Sequence, residues 1–272
     1  GTLPRACFHS ARGKIPATVG GDEDVLILAV DTSTMVGGVA LIDGGVLVGE
    51  HILNVKATHS ERLMSSVNAT LSGADIVPGD LDAIACGIGP GSFTGVRIGV
   101  AAAKGISYAL GIPLVGVSAL DALAYGHSPG FREVWSMIDA RHERCYSACY
   151  KPSLSLRAAT RISEYSVRPI SEILGAAGLD GGRVLFTGDG ALAYSDALLS
   201  ALPDRGVVPP AALGILRPAQ VGMLGMEMLE RGEGGDPAHV VPMYLRPTEA
   251  EVKFSRKEIR PDGTASLAHE SK

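Results

Sequence analysis

The sequence predicts an α/β protein with two lobes. Its 272 residues suit two domains, at roughly 150 residues each. Hydrophobic residues make up 46% and charged residues 19%, so the chain can bury a sizeable core and is not globally disordered. Buried strands alternate with amphipathic helices, and a strand that ends in an aspartate occurs once in each half, at Asp31 and at Asp139.

The first half predicts three antiparallel strands and then alternating helices and strands. The continuous apolar run 25–30 is typical of a strand covered on both faces. Asp43-Gly44-Gly45, between two apolar segments, indicates a hairpin. The elements predicted after the hairpin are a helix 61–71 with Ser60 as N-cap, a strand 81–88, a helix 96–110 ended by Gly111, a strand 114–117 and a helix 119–125 capped by Ser118.

The second half repeats this order less regularly. It predicts a strand 134–138, a partner strand 145–150 and a strand 183–187. One helix follows 188–190 and runs to about Leu202, and another amphipathic helix spans 220–231.

These elements divide the chain into an N-terminal lobe, 25–122, and a C-terminal lobe, 123–255. The helix near 218–232 is a candidate to pack back on the first lobe. Residues 1–24 show no apolar period and are expected to be a disordered extension, and the polar residues 256–272 are expected to be a frayed tail.

Two strand-then-aspartate units are the organisation of the duplicated ribonuclease-H-like fold of actin and the sugar kinases. There the two aspartate turns face each other across a cleft and hold a nucleotide's phosphates. Glycine beside the aspartate lets phosphate approach the backbone, but here the turns read Asp31-Thr32-Ser33 and Asp139-Ala140-Arg141. We therefore expect catalytically degenerate phosphate turns and no strong use of ATP.

The glycine-rich loop 87–95 is the most distinctive local motif in the sequence. A P-loop needs lysine after its last glycine, where Val96 stands, and a dinucleotide fingerprint needs glycine or alanine at Ser92. A helix entry of this kind can bind an anion through backbone N–H groups. The favoured interpretation is a structural strand-to-helix turn made by Gly87, Gly89, Pro90 and Gly91.

Small residues recur every four positions on the next helix, at Gly95, Gly99, Ala103 and Ser107. Such a stripe permits close approach by another element. From the residues alone, that element is equally well this protein's own sheet or a neighbouring chain. In the second case, the apolar row Leu63, Val67 and Leu71 on the preceding helix would extend the surface.

Metal and hydrolase sites find no support in the spacing. The seven histidines include no H-x-x-x-H pair, and Cys145 and Cys149 fit buried core positions better than a metal site. Ser33 and Ser92 lack a G-x-S-x-G elbow. We therefore expect no metal and no catalytic residue.

The composition bears on the binding partners and on the cellular compartment of the protein. The net charge of −5 and the absence of any run of five basic residues argue against tight nucleic-acid binding by this chain alone. Four cysteines without C-x-x-C spacing suggest reduced thiols in the cytoplasm. The apolar stretches fall short of the roughly 20 residues that a membrane span needs, so a soluble cytoplasmic protein is expected.

Six segments form one pattern: 27–34, 59–60, 87–99, 103–105, 139–141 and 242–246. In this combination they resemble the TsaB (YeaZ) family. The match is dense from Val25 to about Ala124, thinner across 130–215, and resumes at Pro242. The 87–99 segment, Gly-Ile-Gly-Pro-Gly-Ser-Phe-Thr-Gly-Val-Arg-Ile-Gly, is the most specific part.

The resemblance implies a non-catalytic subunit needed to form N6-threonylcarbamoyladenosine (t6A) next to the anticodon of tRNAs. It implies pairing with a catalytic TsaD subunit through helices 61–71 and 96–110, which favours the interface interpretation of the small-residue stripe. A TsaE ATPase joins that pair, tRNA binds only through the complex, and a homodimer forms without TsaD. No cofactor of its own is implied, with nucleotide only at the complex interface. The alternatives are an active small-molecule kinase of the actin-like fold or a metallopeptidase of the glycoprotease type.

Overall fold

The structure is a computed structural model that describes residues 25–54, 59–127, 129–155 and 157–246. The strands are β1 (Leu26–Asp31), β2 (Val36–Asp43), β3 (Val46–Asn54), β4 (Ala83–Gly87), β5 (Leu114–Val117), β6 (Glu133–Asp139), β7 (Arg144–Lys151), β8 (Thr160–Arg161), β9 (Ser166–Pro169), β10 (Val184–Thr187) and β11 (Gly206–Val207). The helices are α1 (His59–Gly73), α2 (Phe93–Leu110), α3 (Ala119–Ala124), α4 (Ile170–Ala176), α5 (Asp189–Ala193), α6 (Ser195–Ala201) and α7 (Pro218–Glu230). The predicted extension 1–24 and tail 256–272 lie outside the described residues.

The first sheet has the strand order β3-β2-β1-β4-β5. Strands β1, β2 and β3 are antiparallel, whereas β4 and β5 run parallel to β1. The parallel strands need crossover connections, which α1 and α2 supply. Asp31 therefore lies at the carboxyl end of the central strand.

The second sheet repeats this arrangement. Strands β6, β7 and β9 are antiparallel, and β10 and β11 run parallel to β6, so that β6 takes the place of β1. Asp139 thus ends the second central strand as Asp31 ends the first. Two copies of one topology confirm the predicted two-lobed, duplicated ribonuclease-H-like fold.

Helix α7 comes from the C-terminal part of the chain but packs on the first sheet, against β1, β2 and β4. Two glycines on its inner side allow this close approach. A Cβ at Gly222 would overlap Ile42, and a Cβ at Gly225 would crowd Ala85. The helix thereby covers the face of the first sheet that points towards the second lobe.

Three apolar clusters form the core. One lies between the two sheets and is covered by α3 and α7; the second lies between the first sheet and helices α1 and α2; the third lies under α4, α5 and α6. Polar contacts also join the lobes. The Tyr150 and Tyr165 hydroxyls donate to the two carboxylate oxygens of Asp121 at 2.7 and 2.6 Å, and Tyr125 and Arg157 donate to Glu227.

Several element boundaries differ from the sequence-based prediction. Helix α1 begins at His59, so Ser60 lies inside its first turn and the predicted N-cap is wrong. Ser92 caps α2 by accepting a hydrogen bond from Gly95 N. The helix therefore begins at Phe93, three residues before the predicted start at Val96. Ser118 caps α3 as predicted, and the αL conformation of Gly111 ends α2.

Candidate functional site

The first aspartate turn holds a buried carboxylate. Asp31 accepts hydrogen bonds from the Ser33 hydroxyl at 2.8 Å and from Ser33 N at 3.3 Å. Burial raises its pKa to about 6, against the opposing effect of these hydrogen bonds. A Cβ at Gly87 would overlap the Asp31 carboxylate, so the end of β4 requires a residue without a side chain.

The space above this turn is filled by the chain's own glycine-rich loop. Ser92 N donates to Ser33 O at 2.7 Å, and the Thr32 hydroxyl donates to Gly95 O at 2.7 Å. A Cβ at Gly91 would overlap the Ser33 carbonyl oxygen. The backbone that would cradle phosphate in a kinase is therefore covered from within.

Gly87 ends β4, and Gly89, Pro90 and Gly91 lie in the connection from β4 to α2. Gly89 has φ +92°, which favours glycine, and its carbonyl accepts from Ala119 N at 2.8 Å. The first turn of α2 is capped by Ser92. These contacts give the loop a structural role.

The second aspartate turn is more open. Asp139 Oδ1 accepts from Arg141 N at 2.9 Å and from the Tyr194 hydroxyl at 3.4 Å, and Arg141 lies 3.5 Å from Oδ2. Asp189 accepts from Asp139 N at 3.0 Å, and burial raises the pKa of Asp189. Sequence reasoning missed Asp189 as a neighbour, although its Gly-Asp-Gly setting after a buried strand was visible.

The residues predicted to form the partner interface are buried in this chain, and their role in a partner contact stays a prediction. Their physical task is internal: α2 needs small residues where it meets the 31–34 turn, because a Cβ at Gly95 or Gly99 would overlap Thr32. The remaining members also lie in the chain's own core, where Ser107 donates to Ile112 O at 2.6 Å. The seven residues are Leu63, Val67, Leu71, Gly95, Gly99, Ala103 and Ser107, all buried.

The outer sides of α1 and α2 form a different surface. Both helices pack on the same side of the first sheet and touch each other, so their remaining sides point to solvent. We call this surface the α1–α2 face. In the sequence, this surface corresponds to the residues of the two helices that lie on the side opposite the buried apolar row. Its exposed members are Met64, Ser65, Asn68 and Ala69 of α1 and Thr94, Ala101, Gly105 and Tyr108 of α2.

The described residues contain no cluster of potential metal ligands and no helix that could span a membrane. Cys145 and Cys149 are buried, and no group of three or more potential metal ligands occurs within the described residues. Over the same part of the chain, no helix combines the length and apolar character needed to span a membrane.

Comparison with known proteins assigns the family. A family model described as "TsaD: tRNA N6-adenosine threonylcarbamoyltransferase" matches residues 48–253. The chain is 34% identical to the tRNA threonylcarbamoyladenosine biosynthesis protein TsaB of Bacillus subtilis over 235 residues, which cover 84% of this chain and 97% of that protein. The chain belongs to the TsaB family.

Other TsaB relatives agree. The Escherichia coli TsaB is 32% identical over 85% of this chain and 99% of its own length. A solved structure of YeaZ from Pseudomonas aeruginosa superimposes with a TM-score of 0.70 at 31% identity, over 81% of this chain and all of that chain. The TsaB resemblance and the two-lobed fold predicted from the sequence are both confirmed.

Proposed function

We propose that this chain is a non-catalytic subunit in the formation of t6A in tRNA. The names of its TsaB relatives support a place in t6A biosynthesis. The observation that carries the non-catalytic role is the covered first phosphate turn, where Thr32 and Ser33 hydrogen-bond to Gly95 and Ser92. A nucleotide would have to displace these internal contacts to reach the backbone.

The same geometry supports the absence of a cofactor of its own. In an active kinase the aspartate in the position of Asp31 would serve a phosphate-bound metal. Here the Asp31 carboxylate accepts a hydrogen bond from the Ser33 hydroxyl and lies directly against Gly87. The second turn is open, but its carboxylate Asp139 is held by Arg141 and Tyr194. In this proposal nucleotide binds only at an interface with a partner.

We place the contact with a TsaD-type catalytic subunit on the α1–α2 face. Met64 is 45% exposed and Tyr108 59% exposed, and between the large side chains lie small ones such as Ala101 and Gly105. A Cβ at Gly105 would meet open space, so a partner helix can approach here without displacing any part of this chain. Methionine and tyrosine side chains are enriched at protein interfaces.

The proposed role as a subunit in t6A formation also implies further partners. A TsaE-type ATPase joins the pair, and tRNA is engaged in the complex. Without the TsaD-type subunit, two copies of this chain associate through the α1–α2 face, so the homodimer and the heterodimer exclude each other.

The decisive experiment reconstitutes t6A formation from purified components. We expect the chain to co-purify with the TsaD-type subunit of its own organism, and t6A formation on an unmodified tRNA transcript to require both. The chain alone should neither form t6A nor hydrolyse ATP. Full t6A formation without this chain, or robust ATP hydrolysis by the lone chain that is lost in Asp31→Ala, would overturn the proposal.

A further inference from the structure

An exposed cluster of two aromatic rings and one arginine lies where α2 begins. The guanidinium carbon of Arg97 sits 3.6 Å from the centre of the Phe93 ring and 5.7 Å from that of Tyr244, and the two ring centres are 5.0 Å apart. Arg97 Nε donates to the Tyr244 hydroxyl at 2.8 Å. Phe93 is 36% exposed and Tyr244 44% exposed. We call these three residues the aromatic–arginine cluster.

The cluster rests on fixed supports. Phe93 and Arg97 belong to the first turns of α2, and Tyr244 belongs to a segment, 236–246, that runs along α2 and that we call the strap. The strap is tied to the first lobe by Met243 N, which donates to Ile88 O at 2.7 Å, and to the second by Arg246, which donates to Ala140 O at 3.1 Å. The rings and the guanidinium are therefore held in place before any ligand arrives.

Among the described residues, Arg97 uses one of its five N–H donors. Nε supplies the one that reaches Tyr244. The interactions of Arg97 with the described residues are with Phe93 and Tyr244, and no carboxylate is among them. Within the described part of the chain both Nη groups therefore stay available to a ligand whose oxyanion matches the planar fork.

Other cations lie near the end of the strap. Arg246 bonds to the carbonyl of Ala140, and the next residue, Arg141, has a side chain 75% exposed. Arg246 of the strap and the nearby Arg141 thus place two more cations at the seam between the lobes, in a chain whose net charge is −5. Exposed aromatic rings beside arginines are the usual contact surface for single-stranded RNA, because bases stack on the rings and phosphates pair with the guanidinium groups.

We infer that the aromatic–arginine cluster binds a single-stranded segment of tRNA. A base stacks on the exposed ring surface of Phe93 or Tyr244, and an adjacent phosphate accepts hydrogen bonds from the Arg97 Nη groups. This inference rests on the proposed function, because it makes the tRNA of that reaction the ligand. It adds a contact from this chain to the contacts that the catalytic subunit supplies.

The test measures tRNA affinity of the complex between this chain and the TsaD-type subunit. The variants are Arg97→Gln and Tyr244→Ala. The matched control is Arg183→Gln, which removes the same charge from an arginine that lies 5.2 Å from the centre of the Phe131 ring in the second lobe. Binding of an unmodified tRNA transcript, a single-stranded RNA and a duplex RNA is followed by fluorescence anisotropy over a range of salt concentrations. Co-purification and thermal melting of each variant are recorded in parallel.

We expect both variants to weaken binding of tRNA and of single-stranded RNA by about tenfold, and the control to leave it unchanged. Arg97→Gln should also lower the slope of log affinity against log salt by about 0.7–0.9, because one phosphate contact is lost. Duplex RNA should bind equally to all forms, since its bases are already stacked.

Wild-type tRNA affinity in both variants, with pairing intact, would overturn the inference while leaving the proposed function standing. If pairing with the TsaD-type subunit weakens instead, the cluster is a protein contact and the inference is equally wrong. If the wild-type pair fails to form t6A, the proposed function itself fails. Photocrosslinking of tRNA to the peptide that carries Phe93 or Tyr244, absent in Tyr244→Ala, would support the contact directly.

Discussion

Thr32 and Gly95 are joined by a 2.7 Å hydrogen bond from the threonine hydroxyl to the glycine carbonyl oxygen. This bond links the turn after β1 to the first turn of α2, 63 residues later. Where the same fold binds a nucleotide, the corresponding turn must stay open to phosphate. Here the Thr32 side chain and the first turn of α2 close it, and glycine at position 95 leaves room for this contact.

The fit between α2 and this turn predicts that Gly99→Leu is destabilising. A Cβ at Gly99 would overlap the Thr32 side chain, and overpacking of this kind typically costs about 1–3 kcal/mol. The melting temperature should fall by several degrees. Gly105→Ala is the matched control, because a Cβ there meets open space and alanine favours the helix by roughly 0.5–1 kcal/mol. Equal melting temperatures for Gly99→Leu and wild type would contradict the packing.

The raised pKa of Asp31 predicts that the stability of the folded protein depends on pH. Burial raises its folded-state pKa from 3.8 to about 6, so the folded protein holds this proton more tightly than the unfolded chain. Stability attributable to Asp31 is therefore greatest below about pH 4 and is lost as the pH rises through about 6. The difference corresponds to roughly 3 kcal/mol, at about 1.36 kcal/mol for each pH unit.

Urea unfolding of wild type and Asp31→Asn between pH 4 and pH 7.5 checks this. Relative to the asparagine variant, the wild type should become less stable up to about pH 6 and then remain level. Ser33→Ala removes a hydrogen bond that lowers the Asp31 pKa, so it should shift the decline to higher pH. Parallel curves for wild type and Asp31→Asn would rule out a raised pKa.

The thiols of Cys145 and Cys149 should be inert in the folded protein. Burial raises the pKa of each to about 12, and the carboxylates of Asp139 and Glu133 respectively add to the effect. Because the thiolate is the reactive form, alkylation should wait for unfolding. Mass spectrometry after iodoacetamide treatment, with and without urea, measures this. Rapid labelling of either cysteine in native protein, or stoichiometric zinc that is lost in the double serine variant, would refute the assignment as core residues.

Local sequence patterns predicted the central elements well because each carries its own signal. The apolar run before Asp31, the Asp43-Gly44-Gly45 hairpin and the Gly111 stop all depend on neighbours in the chain. Strand β3 extends to Asn54 because it pairs with β2 over its whole length, and that pairing leaves no mark in the local sequence pattern. The predicted helix after 188–190 is divided at Tyr194 into α5 and α6.

The candidate site was less predictable because it depends on which neighbour a helix meets. The four-residue period of Gly99 and its companions showed that something approaches closely, but no period can name the approaching element. That element is Thr32, whose turn the sequence pattern marks only as a phosphate site. The Arg97 and Tyr244 contact joins residues 147 apart and left no mark in either local pattern.

The α1–α2 face yields the sharpest prediction for assembly. Ala101 is exposed at the middle of this face, so Ala101→Arg should leave folding intact and block a partner. Inserting a large side chain into a tight contact costs about 1–3 kcal/mol, and about 1.4 kcal/mol is tenfold in affinity. We therefore expect about tenfold weaker pairing with the TsaD-type subunit, measured by analytical ultracentrifugation.

The matched control for this variant is Ala197→Arg, the same change at an exposed position of α6 in the second lobe. Both variants should melt as wild type does, and only the first should lose its partner. Homodimerisation of the lone chain should weaken with Ala101→Arg in the same proportion, because both assemblies are proposed to use one face. If Ala101→Arg weakens the homodimer but not the heterodimer, the TsaD-type subunit binds elsewhere, and the shared-face arrangement is wrong.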